Sequence, residues 1–189
     1  MKKITITQIS EKKIKAGNPL LQMEDFPNEL SFDEGELVEL VDSRQKFVAK
    51  AYLAKQNKGV GWVFSLDNAD SFNEAFFKKQ FEKAKRKRTD LQSDPETTTY
   101  RHFNAEGDGI PGVTIDHYDG FAVVSWYSEG IFRYQTAIIA AFQAVFPETK
   151  GIYEKFRYQR KDGLISRYVR GDAAPTPLIV KENGINYAT

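Results

Sequence analysis

Alternation of apolar and polar side chains is the main pattern in the first 70 residues. In the run from Phe47 to Leu53, alternate residues fall on opposite faces, and this period of two predicts a half-buried strand. Two further strands are predicted at 36–41 and 60–64, the second rich in aromatic and β-branched residues. Short strands separated by tight turns, with little helix between them, indicate a small β-barrel or sandwich.

A helical period replaces this alternation between residues 71 and 95. Ser71 and Glu74 have the spacing of a capping box, which predicts where the helix starts. Apolar residues then recur near one stripe of the predicted helix: Phe77, Phe81, Ala84 and Leu91. Most of the remaining circumference is basic. We therefore expect a basic helix that links two β-rich regions and packs its aromatic edge against one of them.

Residues 96–189 return to strand patterns. Strands are predicted at 99–104, 113–116, 121–127 and 152–156, with a helix at 132–146 that ends before Pro147. Asn183-Gly184 lies between two short runs and predicts a type I′ hairpin. The polar stretch 157–177 is predicted to be a long loop without a pairing partner. The order strand-strand-strand-helix-strand-hairpin indicates an α+β fold and not a repeating βαβ array.

The composition narrows the class of protein. Hydrophobic residues make up 41% and charged residues 28%, which is ordinary for a globular chain. No run approaches about 18 apolar residues, and the N-terminus lacks the apolar core of a secretory signal. The absence of cysteine excludes disulfides and a cysteine nucleophile, and two histidines argue against a multi-histidine metal centre. We expect a cytoplasmic protein with no metal site.

Positive charge is concentrated in the middle of a nearly neutral chain. The formal net charge is +1, but segment 71–95 holds seven basic and four acidic residues. Each flank holds one more acidic than basic residue. Seven basic groups between Lys78 and Arg88 have two interpretations: phosphate contacts, or a solvated face that keeps the protein soluble. By the charge pattern alone, the solvated face is the commoner case.

The loop Glu106–Gly112 is the most distinctive local sequence. Its glycines would let a ligand approach the backbone, and its carboxylates would accept hydrogen bonds. It is not a phosphate cradle, because a strand follows it and no Gly-Lys-Ser/Thr is present. A rigid turn between strands, with Pro111 fixing φ, explains the same residues and is favoured by local physics.

No other residues form a catalytic constellation. His102 and His117 lie on or beside strands without a paired nucleophile, which favours structural histidines. Two candidate carboxylate pairs lie in turns where acidic residues are common: Asp116 with Asp119, and Glu106 with Asp108. Three aromatic residues on predicted strands are expected in the core and not as base-stacking platforms: Trp62, Trp126 and Tyr127. No catalytic, cofactor-binding or metal-binding residue is predicted.

The order of motifs resembles the ribosomal RNA large-subunit methyltransferase I family. The best match is Tyr100-Arg-His-Phe-Asn-Ala-Glu-Gly-Asp-Gly-Ile-Pro-Gly-Val-Thr-Ile-Asp-His-Tyr118. It is similar to the family's Tyr-Arg, Gly-Glu-type turn, Asp-Gly-Leu-Pro-Gly-Leu, strand and Asp-Arg-Tyr. The helix start Asn73-Glu-Ala-Phe-Phe77 and the Glu182-Asn-Gly184 hairpin are similar as well.

This resemblance implies a division of the chain into three parts. Residues 1–70 would form a PUA-like RNA-binding domain with a small β-barrel, and residues 71–95 a basic linker helix. Residues 96–189 would form a central α+β domain that precedes a Rossmann-like methyltransferase domain absent from this chain. Thr189 would then be a truncation point. No cofactor is expected in this chain, and S-adenosylmethionine is expected for the full-length protein.

The resemblance also raises the expectation that the basic residues face RNA. The implied RNA-binding residues lie near the first helix, along the basic helix and at the start of the central domain: Lys12, Lys13, Lys15, Gly17, Lys78, Lys79, Lys83, Arg86, Lys87 and Arg101. One departure from the family's pattern weakens the expectation of a specific nucleotide contact at the loop after the first helix. Gly17-Asn18-Pro19-Leu20 stands where the family has Gly-His-Pro-Trp.

Three functions are compared on this basis. The first is the RNA-binding and substrate-positioning portion of a methyltransferase that makes 5-methylcytosine in 23S-type ribosomal RNA, without catalysis by these residues. Its partner would be ribosomal RNA, with no membrane, and a homodimer is compatible with it. The second is a stand-alone PUA-type interaction or dimerisation module. The third, a small-molecule enzyme that uses the loop at 105–112, lacks a base–nucleophile pair.

Overall fold

The first 65 residues build one mixed five-stranded sheet. The computed structural model describes residues 1–189. Helix α1, Gln8–Lys15, lies between the first two strands. The strands are β1 Lys2–Thr5, β2 Leu20–Leu21, β3 Leu37–Val41, β4 Phe47–Gln56 and β5 Gly59–Ser65. Their order is β1-β3-β4-β5-β2, with β1 parallel to β3 and the other pairs antiparallel.

Two expectations for this region need correction. The hydrogen-bonded sheet has β1 and β2 as its edges, so it is not closed into a barrel. Strand β2 has only two residues, which gives little backbone to close the ring. Helix α1 was implied by the family resemblance but not by the hydropathy pattern, because only Ser10 and Ile14 of its eight residues are buried and the apolar stripe is correspondingly thin. Thr7 caps this helix by accepting a hydrogen bond from the Ser10 amide at 3.2 Å.

The basic segment forms two helices and not one. Helix α2 spans Glu74–Lys87 and α3 spans Thr89–Ser93, with a break at Arg88. The N-cap is Asn73 and not Ser71, because the Asn73 side-chain oxygen accepts from the Phe76 amide at 3.1 Å. The apolar stripe of α2 is buried as expected, but Leu91 lies beyond the break and is exposed.

The second half builds another mixed five-stranded sheet. Its strands run in the order β10-β9-β8-β7-β6, and β8 is parallel to β9 through a helical crossover. A separate two-stranded hairpin follows. The elements are β6 Thr99–Asn104, α4 Ala105–Asp108, β7 Val113–Tyr118, β8 Phe121–Trp126, α5 Glu129–Phe132, α6 Gln135–Val145, β9 Gly151–Phe156, β10 Ser166–Gly171, β11 Ile179–Glu182 and β12 Ile185–Ala188. The α+β class is confirmed.

Three details of this half differ from the expectation. The stretch 157–177 is not an unpaired loop, since β10 pairs antiparallel with β9. Nearly every side chain of β10 is exposed, so its sequence shows no alternation of apolar and polar residues that would predict a strand. Arg167 holds β10 in place by donating to the buried Glu154 at 2.6 Å. The predicted helix at 132–146 is α6, Gln135–Val145, and the short helix α5 before it was not predicted; the predicted turn after β6 contains α4.

A continuous aromatic core joins the two sheets. The largest cluster holds 25 buried residues and includes side chains of both sheets and of α2, α5 and α6. Phe72 is its hub at the junction, with ring centroids 5.5 Å from Tyr52, 4.5 Å from Phe64 and 4.9 Å from Tyr134. The second largest cluster lies within the first sheet. The first sheet is therefore packed against its neighbour through shared rings.

Helix α5 fits closely against β4 at this junction. A Cβ added to Gly130 would lie 2.5 Å from the Ala54 Cβ and 3.0 Å from the Leu53 carbonyl oxygen. The Tyr134 hydroxyl donates to the Gly35 carbonyl oxygen at 2.6 Å. The backbone of α5 lies directly against the backbone of β4 at this point, and this close contact fixes the relative position of the two sheets. None of the helices combines the length and hydropathy that crossing a bilayer requires.

Candidate nucleic-acid interface

A narrow cleft lies where the first helix meets the loop after β6. It has a volume of about 210 Å³, and its walls include Gly17 and Asn18 on one side and Glu106, Gly109 and Pro111 on the other. Gly17 has φ +94°, and nothing lies within 4 Å of a Cβ added there. Its backbone conformation, and not crowding, therefore favours glycine. The cleft brings together two motifs separated by about 90 residues of sequence.

The cations beside this cleft are unequal. Lys13 lies 3.2 Å from the buried Asp25, and Lys15 lies 2.6 Å from Glu11. Asp25 also accepts from Ser10 and from the Gln22 amide, so its pairing with Lys13 holds α1 in place. Lys12 is exposed and makes no ion pair, and it is the one predicted cation of this group with a fully available charge.

The cations of α2 are also partly engaged within the fold. Lys79 lies 3.6 Å from Asp70, and Lys87 lies 3.1 Å from Asp108. Lys83 makes only a 3.4 Å hydrogen bond to the buried Gln80. Lys78 and Arg86 are exposed and make neither ion pairs nor side-chain hydrogen bonds. The solvated side of α2 therefore offers three weakly engaged cations: Lys78, Lys83 and Arg86.

Asp108 connects α2 to the distinctive loop. Its carboxylate is buried and accepts from Arg88 at 2.6 Å, from the Asn104 amide at 2.8 Å and from Lys87 at 3.1 Å. Burial raises the pKa of Asp108, but hydrogen bonds from these three residues outweigh it and hold the pKa below its usual range. Glu106 is exposed and does not contact this carboxylate, so the two do not form an acid–base pair. The structure favours the rigid-turn interpretation of this loop.

Contacts within the fold account for most of the remaining predicted residues. Arg101 donates to Asp116 at 2.8 Å, so Asp116 is paired with a base and not with Asp119. The Tyr52 hydroxyl of the first sheet donates to the Pro111 carbonyl oxygen at 2.9 Å. Trp62 and Trp126 are buried, as expected. Tyr127 is only half-buried and lines a surface cavity, so its placement in the core was wrong.

His102 and His117 form a pair that sequence spacing did not reveal. The Gly120 amide donates to His117 Nε2 at 3.2 Å, so the proton of a neutral His117 sits on Nδ1. This Nδ1 lies 3.1 Å from His102 Nε2, which leaves the His102 proton on a buried Nδ1 without a partner. Burial, reinforced by the positive charges nearby, lowers the pKa of His102 to about 3. The pair is neutral and structural.

A larger cavity was not anticipated from the sequence. It has a volume of about 720 Å³ and lies between the turn after β4 and the turn after β9. Its exposed cations come from three segments: Lys55 at the end of β4, Arg133 after α5, and Arg157 with Lys161 in the turn after β9. Lys55 and Arg133 are distant from the other two in sequence, so the charge pattern along the chain did not predict the site.

Comparison with known proteins identifies the fold and then the family. Residues 4–66 match the family described as a PUA-like domain. A Bacillus subtilis protein that carries the name ribosomal RNA large subunit methyltransferase YwbD is 38% identical over 192 residues, which cover 100% of this chain and 48% of that protein. The ribosomal RNA large subunit methyltransferase I of Cronobacter sakazakii is 31% identical over 155 residues, covering 80% of this chain and 39% of the relative.

Solved structures agree with this assignment. A Streptococcus mutans protein described as a SAM-dependent methyltransferase superposes with a TM-score of 0.91 at 40% identity, covering 100% of this chain and 48% of that one. A second structure with the same TM-score and identity is of a methyltransferase complexed with SAH. The resemblance inferred from the sequence is confirmed: the chain is homologous to the ribosomal RNA large subunit methyltransferases. It spans about half the length of the curated relatives it matches.

Replacing Asp108 by alanine tests its role as the anchor of the loop. The Asp108→Ala variant leaves the largely buried Arg88 without its partner, and we expect the free energy of unfolding to fall by roughly 2 to 3 kcal/mol. The exposed pair Arg101–Asp116 supplies the matched control, since Asp116→Ala should cost at most about 1 kcal/mol. Urea denaturation measures both. Equal losses in the two variants would contradict the anchoring role.

The histidine pair predicts a pH dependence of stability. The pKa of His102 is lower in the folded state than in the unfolded chain, so unfolding takes up a proton below about pH 6.5. The free energy of unfolding therefore decreases as the pH is lowered. From pH 7 to pH 5 we expect a loss of about 2 kcal/mol from this group. His102→Phe should flatten the dependence, leaving the part due to His117, whose pKa burial also lowers. Urea titrations at the two pH values measure it, and parallel losses in wild type and variant would refute the assignment.

Proposed function

We propose that this chain is the RNA-binding and substrate-positioning portion of a SAM-dependent methyltransferase of large-subunit ribosomal RNA, with cytosine C5 as the methylated position. The observation that carries the proposal is its homology, along its whole length, to ribosomal RNA large subunit methyltransferases. Residues 1–70 would act as the PUA-like RNA-binding domain, 71–95 as the basic linker and 96–189 as the central domain.

The chemistry of these residues supports positioning and not methyl transfer. The Gly-rich loop leads into strand β7, and its buried carboxylate is already occupied by Arg88 and Lys87. No cysteine is present to act as a nucleophile. The carboxylate of this loop is therefore not free to bind SAM, and we assign no cofactor contact to these residues.

The proposed RNA contacts are those cations that the fold leaves available. Lys12 on α1, and Lys78, Lys83 and Arg86 along α2, lie on exposed surfaces. Lys13, Lys15, Lys79, Lys87 and Arg101 have intramolecular partners that RNA phosphates would compete with. Contacts of this kind fix the register and orientation of RNA without reading its sequence.

A salt titration of RNA binding tests the proposal. The 189-residue chain should bind a structured fragment of large-subunit ribosomal RNA with an affinity that falls steeply with salt. The variant Lys78→Ala/Lys83→Ala/Arg86→Ala removes about three phosphate contacts, so the slope of log K against log salt should become shallower by about 2.7, the value for three contacts to a helical nucleic acid. Fluorescence anisotropy at several salt concentrations measures it.

The matched control removes the same charge elsewhere. Arg44, Lys46 and Arg170 are exposed cations of the turn before β4 and of strand β10 that make no ion pair, and their triple alanine variant should keep the wild-type slope. If the wild-type chain binds no RNA at low salt, the proposed function is wrong. If both triple variants change the slope equally, α2 is not an RNA-facing surface.

A second candidate, the interaction or dimerisation module, is favoured by one feature. The terminal hairpin exposes Ile179, Ile185 and Tyr187, with 52%, 58% and 46% of their surface accessible. Exposed apolar side chains on an edge strand are typical of a pairing surface. Sedimentation analysis should then show a dimer that Ile185→Ser/Tyr187→Ser dissociates. A monomer at all concentrations would eliminate this candidate.

A further inference from the structure

Three adjoining cavities form a continuous groove that starts at the junction of the two sheets and extends onto the second sheet. The 720 Å³ cavity shares Gln56 and Tyr127 with a cavity of about 330 Å³. That one in turn shares Arg101 and Asn104 with a third, of about 600 Å³, on the outer face of β6 and β7. We call this the seam groove. It meets the narrow cleft beside α1 at Glu106, which lines both, and it lies apart from the exposed side of α2.

The charge of the seam groove is positive at its widest part. Five basic and three acidic residues line the 720 Å³ cavity. Arg160 is held by Asp162 at 2.6 Å, and the Tyr158 hydroxyl donates to Glu129 at 2.9 Å. Four cations have neither an ion pair nor a side-chain hydrogen bond: Lys55, Arg133, Arg157 and Lys161. A concave surface lined by unpaired cations concentrates the field and attracts a polyanion.

Aromatic rings are spaced along the same groove. Tyr127 and Tyr158 line the widest cavity, and Tyr100 and Tyr118 line the third. Tyr158 is tied to Glu129 and Arg160 through its hydroxyl. Tyr127 is half-buried and its hydroxyl makes no hydrogen bond within the fold, so no intramolecular bond ties this ring down. Unpaired cations interleaved with aromatic rings are typical of surfaces that track a nucleic-acid strand.

Polar atoms without partners also lie in the groove. The side-chain oxygen of Gln56, at the junction of the first two cavities, is buried and accepts no hydrogen bond. The Thr114 hydroxyl lines the middle cavity and is likewise unpartnered. A buried polar atom without a partner is costly, and a bound ligand with donors and acceptors removes that cost. The amide of Gln56 is suited to the hydrogen-bonding edge of a base.

We propose that the seam groove binds single-stranded RNA, with a base stacked on Tyr127, its edge on Gln56 and its phosphates on Arg157 and Lys161. This inference rests on the proposed function, because it specifies where and in what form the chain holds its RNA. Single strands are favoured over duplex because only unpaired bases present both a face for stacking and an edge for hydrogen bonds. The groove would splay out a loop or an unpaired end of the substrate.

The test uses the 189-residue chain and a fluorescein-labelled, unstructured RNA of about 12 nucleotides, a length within the range of single-strand sites. Tyr127→Leu should weaken binding about tenfold, and Tyr127→Phe should restore it, because stacking needs the ring and not the hydroxyl. Arg157→Ala/Lys161→Ala should make the slope of log K against log salt shallower by about 1.4, the value for two single-strand phosphate contacts.

Matched controls separate the groove from the rest of the surface. Tyr187→Leu changes an exposed ring on the terminal hairpin, and Arg44→Ala/Lys46→Ala removes two exposed cations from the turn before β4. Both should bind the single strand as the wild type does. A 4-thiouridine-substituted strand, irradiated in the complex and mapped by mass spectrometry, should crosslink to peptides that contain residue 127 or residues 157–161.

The outcomes distinguish this inference from the proposed function. If the Tyr127 and Arg157/Lys161 variants bind like the wild type while the α2 variant still lowers the salt slope for ribosomal RNA, the seam groove is not the site and the proposed function stands. If a fully paired hairpin competes as strongly as the single strand, the preference for single strands is wrong. If the chain binds neither RNA, both are overturned.

Discussion

The packing of aromatic rings around Phe72 is the interaction on which the rest of the molecule depends. Phe72 contacts rings from β4 and β5 of the first sheet, from α2 and from the segment before α6. A buried aromatic side chain contributes a large apolar area, and edge-to-face and stacked pairs add orientation. The junction therefore behaves as one core, and the groove along it has walls from both sheets only because this core fixes their separation.

The count of charges along the sequence located the basic segment, but it did not show which of its cations are free to bind a partner. In the structure, Lys87 and Arg88 neutralise the buried Asp108, and Lys85 donates to the Val145 carbonyl oxygen and reaches Glu148. These cations hold the C-terminal end of α2 against α6 and the loop after β6. The same helix thus has two sets of cations, one structural and one solvated, which a count of charges does not separate.

The sequence predicted best those features whose chemistry is local. Asn183 and Gly184 adopt φ 51° and 79°, and the hairpin forms where their dipeptide indicated. Strand β10 was missed because its pairing partner supplies the order while its own side chains face solvent. The histidine pair and the seam groove were missed for a different reason: their residues are distant in sequence, and only the pairing of strands and the junction bring them together.

The absence of a side chain at Gly130 has a consequence for protein engineering. A Cβ placed at Gly130 would lie 2.5 Å from the Ala54 methyl, so a larger residue at either position would clash with the other side of the junction. A chimaera that joins the first sheet of one homologue to the second sheet of another would fit only if both parents keep small residues at this point. Recombination within such proteins is thus constrained by steric complementarity at a single backbone crossing, whatever the compatibility of their surfaces for RNA.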